Sequence, residues 1–166
     1  MINRNFLVLI LLPFLAGCGV QEPAPWKEWR DQFVLKTYPA GAITIADAIT
    51  HKADDEMVVI AQVGSGKGDT FDNKVASFLI SEAPDKDHMG KPGHDDDCPF
   101  CKLRLANAPT VTVGFETSQG KMIPVDARKL FGIKKGDVVV IKGRGTYEEA
   151  TKMLNLNATG LHVVAH

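Results

Sequence analysis

The sequence predicts an all-β domain: a β-rich, five-stranded barrel with short helices and one long excursion between its second and third strands. Three observations predict it. From Met57 onward apolar residues recur with the two-residue period of strands instead of the helical 3.6. One short helical pattern, opened by Asp126 and closed by Gly132, falls between the third and fourth strands. The run from Ala83 to about Ala108 is too long and too polar for an ordinary connection.

The chain has 166 residues, 45% of them hydrophobic and 23% charged, which suits one packed domain and argues against disorder. Its net charge of -1 gives no bias toward nucleic acid or anionic lipid. The start of the chain has a separate logic. Arg4 supplies a positive first region, and Phe6 to Leu15 forms an apolar stretch too short to span a bilayer as a finished helix. Leu15-Ala-Gly-Cys18 follows and closely resembles the bacterial lipobox. The resemblance implies that residues 1–17 are a lipoprotein signal peptide and that Cys18 becomes the lipidated first residue, held in the membrane by more than one acyl chain. By resemblance to the sorting rule of Gram-negative lipoproteins, Gly19 in place of Asp points to the periplasmic face of the outer membrane. The alternative is an ordinary secretory signal that happens to end in cysteine.

Residues 18–43 then read as a lipid-anchored tether with a short helix. Gln21 to Pro25 is polar and proline-bearing, and Trp26, Trp29 and Phe33 recur at i, i+3 and i+7 behind Pro25. That stripe either packs on the domain or lies at the membrane–water boundary, where tryptophan is favoured. Residues 44–166 form the domain. Thr44 caps a second short helix with Asp47 three residues on, burying Ile45 and Ile49.

The strands follow in order. Val58 to Val63 is the first, ending in Gly64-Ser-Gly-Lys-Gly68, which lacks the spacing of a phosphate loop and reads as a turn or bulge. Asn73 to Ser81 is the second, with Ala76, Phe78 and Ile80 on one face. Strand three turns Val111, Val113 and Phe115 inward, and Ser118 to Lys121 ends it. The Asp126–Gly132 helix carries Leu130 and Phe131. Val138 to Ile141 is strand four; in strand five Leu154, Leu156 and Ala158 face in while Asn155, Asn157 and Thr159 face out. Three strands, a short helix and two strands is the order of an OB-fold barrel.

Gly132 to Arg144 resembles the part of OB domains in which the helix plugs the barrel and the next strand closes it. The run from Thr44 to Val164 also resembles uncharacterised OB-fold-like secreted proteins and lipoproteins of planctomycete-type bacteria. The matching stretches are Val59 to Gly64, Ala76-x-Phe78, Asp96-Asp-Cys-Pro99, Asp137 to Gly143 and Asn157-Ala-Thr-Gly160. This implies a fold and a compartment and brings no activity. Those proteins carry a longer cysteine cluster after the Cys-Pro; here only Cys98 and Cys101 stand.

The chemistry-bearing residues gather in the excursion. The chain has three cysteines; with Cys18 taken by lipid, one pair remains in an oxidising compartment, as Cys98-Pro-Phe-Cys101. In one reading His88, His94, Cys98 and Cys101 bind a metal ion, since two imidazoles and two thiolates complete a tetrahedral set for zinc. Met89 adds a thioether, which makes copper(I) the second choice. In another, Cys98 and Cys101 form a disulfide that tightens the loop, and the histidines are surface residues. A third reading, a thiol–disulfide catalyst resembling a thioredoxin-type site, is opposed by context. Lys102 to Ala108 reaches Pro109 within two turns, and Asp95, Asp96 and Asp97 raise a neighbouring thiol's pKa. No serine-nucleophile motif is present, and His51, His162 and His166 have no partner at a telling spacing. Lys134, Lys135, Lys142 and Arg144 have only Tyr147 as an aromatic neighbour, which does not make an oligonucleotide groove. The sequence therefore predicts a non-enzymatic envelope lipoprotein with no nucleic-acid partner expected: a binding or structural module whose loop holds a metal or a disulfide. The alternatives are a periplasmic metal-handling or thiol–disulfide redox protein and, behind these, an oligonucleotide- or oligosaccharide-binding OB module.

Overall fold

A computed structural model of the chain describes residues 26–50, 55–66, 68–83, 103, 109–148, 150 and 153–164. Among the described residues, the helices α1 (Trp26–Phe33), α2 (Ile45–Thr50) and α3 (Ala127–Phe131) accompany five strands. The strands are β1 (Glu56–Val63), β2 (Ser77–Glu82), β3 (Thr110–Phe115), β4 (Val138–Glu148) and β5 (Met153–Val163). They close into a barrel in the order β1-β2-β3-β5-β4. β3 and β5 run parallel, and every other pair is antiparallel. That ring, with a helix between its third and fourth strands, is the five-stranded OB-fold-like arrangement expected from the element order.

Alternation sets which side of each strand is dry. In β3, Val111, Val113 and Phe115 are buried and the residues between them half-buried; in β5 the buried residues begin Leu154, Leu156 and Ala158, with exposed residues between. A one-residue slip would turn these sets outward, so the pattern also sets register: Val111 lies opposite Leu154 and Val113 opposite Leu156. β4 differs, since Val138 to Ile141 are all buried, the pattern of a strand covered on both faces.

Both α1 and α3 plug the same end of the barrel, and Phe115, the last residue of β3, is where they meet. Phe33 of α1 stands edge-on to it at 5.2 Å between ring centroids, and Phe131 of α3 lies at 4.5 Å. Trp26 and Trp29 are half-buried against the same core, so the tryptophan stripe packs on the domain. The chain after α1 stays attached: the Leu35 amide donates to the Leu161 carbonyl at 2.8 Å, and Val34 bridges the same residue of β5. Farther on, Ile43 bridges Val59, exchanging hydrogen bonds with Val58 and Ile60 alongside the β1 edge. Of the segment 18–43, residues 26–43 thus lie on the barrel.

The helix ends follow their caps. The Thr44 hydroxyl accepts from the Asp47 amide at 3.1 Å and donates to the Asp47 carboxylate at 2.8 Å, the reciprocal cap the spacing predicts. α2 buries Ile45 and Ala48, leaving Ile49 half-buried against the core. In α3 the Asp126 carboxylate accepts from the Arg128 amide, and Gly132 closes the helix at φ 73°, a conformation that costs a side-chain-bearing residue energy.

Candidate binding groove

Among the described residues, a built surface feature lies where β1 crosses to β2. After Val63 the chain loops out and returns along β2: the Leu79 amide donates to the Thr70 carbonyl at 2.8 Å, and Phe71 bridges Phe78. The Asp72 carboxylate then accepts from the Lys74 amide at 2.7 Å and the Val75 amide at 3.3 Å. These side-chain bonds hold residues 72–75 in a turn, so β2 starts at Ser77 instead of Asn73.

An open groove of about 460 Å³ runs beside this turn, lined by Asp69, Phe71, Asp72, Lys74, Ser77 and Leu79 among others. Its aromatic wall is braced from α3. The Arg128 guanidinium lies 5.1 Å from the Phe71 ring centre and donates to the Asn73 side-chain carbonyl at 2.6 Å. Arg128 is itself held by Asp126: Nε lies 3.0 and 3.1 Å from the two carboxylate oxygens, and Nη2 lies 2.6 Å from Oδ2. One carboxylate, 6% exposed, therefore caps α3 and sets the arginine that sets the loop. Two carboxylates, Asp69 and Asp72, stand against one ammonium, Lys74, in the lining. The groove thus offers hydrogen-bonding groups and an aromatic edge.

The hydrogen bond from Arg128 holds the Asp126 carboxyl below the ordinary carboxylate value, outweighing burial, which acts the other way. A carboxylate depressed in the folded state contributes stability above its unfolded pKa of about 3.9 and loses it as pH falls through the lower folded value. Asp126→Asn keeps a capping side chain but removes this titration. Urea midpoints of parent and variant should therefore converge below about pH 4 after differing at neutral pH. A difference that stays constant across the range would mean the carboxylate is not linked to folding.

The sequence-predicted site residues are not among those described. Cys18 falls in residues 1–25, and His88, His94, Cys98 and Cys101 fall in 84–102; all are outside the described residues. Among the described residues, no three His, Cys, Asp or Glu side chains are placed to share a metal ion. The strands on either side of the Cys/His segment are described. Ser81 of β2 is register partner to Thr110 of β3, so the segment leaves and rejoins one antiparallel pair. At that end the Glu82 carboxylate accepts from the Ala46 amide of α2 at 3.1 Å.

His162 is half-buried, with Nδ1 3.0 Å from the Leu35 carbonyl and its ring against Tyr38 at 5.9 Å, so it fastens the chain after α1 to β5. Lys142 is half-buried and its ammonium pairs with the exposed Glu56 at 2.9 Å, a solvated arrangement of little energetic weight. Sequence reasoning missed the Phe71–Asn73–Arg128 brace. The Asp72-Asn73 pair is a turn signal that could have placed the loop. Nothing local joins it to Arg128, fifty-five positions away from Asn73.

No protein-family model matches the chain, and no curated protein matches it. Solved structures similar to it include an aspartyl-tRNA synthetase from Entamoeba histolytica, at 10% identity and a TM-score of 0.45, over 98% of this chain and 29% of that one. Another is a protein assigned as an aspartyl-tRNA synthetase from Leishmania major Friedlin, at 8% identity and a TM-score of 0.44, over 84% of this chain and 25% of that one. The chain thus spans less than a third of the length of either.

Proposed function

We propose that this protein is a non-enzymatic lipoprotein of the bacterial cell envelope, anchored through acylated Cys18 on the periplasmic face of the outer membrane. Its OB-like barrel serves as a rigid mount for residues 83–108, in which His88, His94, Cys98 and Cys101 hold a zinc ion. The observation that carries this reading is the donor set itself: two imidazoles and a C-x-x-C within one short segment make four ligands. Four protein ligands leave no open position for substrate or water, so such a site is structural or metal-holding and not catalytic. Copper(I) is the second metal, with Met89 available as a soft donor.

The Ser81–Thr110 register supports a local role for the metal. The barrel already holds the two ends of the segment one strand spacing apart, so closing the loop costs little further entropy. The core supplied by the described residues runs from Phe33 to Leu161 and is continuous without residues 84–102. Chelation should therefore free the two thiols and loosen residues 83–108 while far-ultraviolet circular dichroism of the barrel stays unchanged. Freshly isolated protein should carry about one zinc ion per chain, and chelator alone should expose Cys98 and Cys101 to a thiol reagent. Thiols that stay blocked after chelation and label only after reductant would identify a disulfide and remove the metal site.

One observation favours a second reading, a module that binds a ligand on the barrel wall: the Phe71 wall of the groove is positioned in advance by Arg128 and Asp126. The two carboxylates in the lining turn that reading away from nucleic acid, whose binding depends on neutralising phosphates.

A further inference from the structure

We propose that the protein faces the bilayer with the α1–α3 end of its barrel and carries the paired ends of β2 and β3, where residues 83–108 attach, on the side away from the lipid. The inference rests on the anchoring of Cys18 proposed above. Seven residues lie between Cys18 and Trp26, so the covalent chain from one to the other spans at most about 28 Å fully extended. The covalent chain limits how far α1 can stand from the headgroups, and the surface of α1 must supply the orientation.

α1 is not a swivel on which the barrel could turn over. Phe33 sits in the barrel core, 4% exposed, and the next residues are fastened to β5 by the Leu35–Leu161 hydrogen bond and the His162 ring. An anchor that orients α1 orients the barrel. The position of α1 decides which end that is. Phe33 and Phe131 both pack on Phe115, at the last residue of β3, whereas Ser81 and Thr110 pair at its first. The five residue steps from Thr110 to Phe115 put those two ends about 17 Å apart.

The surface at the α1 end suits a headgroup layer. Trp26 borders a shallow hollow of about 340 Å³ with Lys27, Arg30 and Asp31, and Trp29 is half-buried one turn on. Indoles with one side dry and the other wet settle at the membrane–water boundary, and lysine and arginine stems reach toward lipid phosphates. Glu28 and Asp31 offset the two cations, so electrostatic attraction is small and the short tether supplies the proximity.

The chain has two tryptophans, and both are in α1, so its intrinsic emission reports on this end alone. The mature lipidated chain would be reconstituted into phosphatidylethanolamine–phosphatidylglycerol vesicles containing dansyl-labelled headgroups. Energy transfer from tryptophan to dansyl would then be compared with that of a variant carrying Trp26→Phe, Trp29→Phe and Thr146→Trp. Thr146 is exposed on β4 near the opposite end of the barrel, opposite Asn155. Transfer several-fold stronger in the parent than in the variant is expected. Equal transfer, or stronger transfer from position 146, overturns the orientation. Flotation of the same preparations with the vesicles, and the mass of the mature N-terminus, separate the two ways to fail. A chain that floats with an acylated Cys18 but shows equal transfer has the wrong orientation. A chain that neither floats nor carries acyl groups lacks the anchor on which the orientation depends.

Discussion

Gly143→Ala is expected to lower stability by about 3 kcal/mol, toward the upper end of what overpacking costs. A methyl group built at Gly143 would collide with the Asn157 carbonyl oxygen and meet the Ala158 Cα at 2.9 Å. Both are main-chain atoms of β5, so no side-chain rotation relieves the contact. Gly143 also sits at an irregularity in the β4–β5 ladder: Lys142 pairs with Gly160 and Gly143 with Ala158, leaving Thr159 as the extra residue. The close approach of the two strands is thus part of how the barrel bends shut, and a side chain there must push them apart. Gly114→Ala provides the contrast. Its new methyl would meet only the end of the Met122 side chain, at 3.1 and 3.3 Å, and a thioether has the freedom to move. That variant should stay within roughly half a kcal/mol of the parent. Urea midpoints measured side by side decide the matter, and equal midpoints for the two variants would show that β4 and β5 are not so close at Gly143.

What could be read from the sequence divides along the range of the interactions. Strands whose faces differ in wetness were legible because alternation records burial directly; Val111, Val113 and Phe115 in β3 and Leu154, Leu156 and Ala158 in β5 are buried as their pattern implies. The caps at Thr44, Asp126 and Gly132 were legible too, because each acts within four residues of itself. Boundaries set by side chains competing for backbone amides were not: Asp72 takes two amides that a longer β2 would have used. β5 runs on to Val163, past the end of the alternating pattern. There Leu35 packs over Gly160 and its amide takes the Leu161 carbonyl, contacts more than a hundred residues away in sequence. The tryptophan stripe announced a helix but not its partner, since the spacing says that one face is apolar and nothing about Phe115. The Cys/His segment is legible as a set of donors. Its chemistry depends on where His88, His94, Cys98 and Cys101 stand relative to one another, which spacing alone does not determine, and these residues lie outside those described.

Leu156→Ala is expected to cost on the order of 3–5 kcal/mol, the upper part of the range for truncating a buried leucine. Leu156 is 1% exposed and lies between Val113 of β3 and Gly145 of β4 in register. What surrounds a truncated residue decides how much of the cavity survives. Here the two register partners offer little to refill the space, one being β-branched and the other a glycine, which leaves the nearby Met57 thioether as the side chain free to shift. The adjacent position tests the facing of the strand directly. Asn157 is exposed, and its amide donates to the Glu116 carboxylate at 2.9 Å on the outer surface. Water replaces that bond at little cost, so Asn157→Ala should change stability by no more than about 0.5–1 kcal/mol. Denaturant unfolding of both variants should show a large drop in midpoint for the first and a small one for the second, with similar slopes. Comparable losses at the two positions would mean that Leu156 does not face the core, and with it would go the parallel β3–β5 register that closes the barrel.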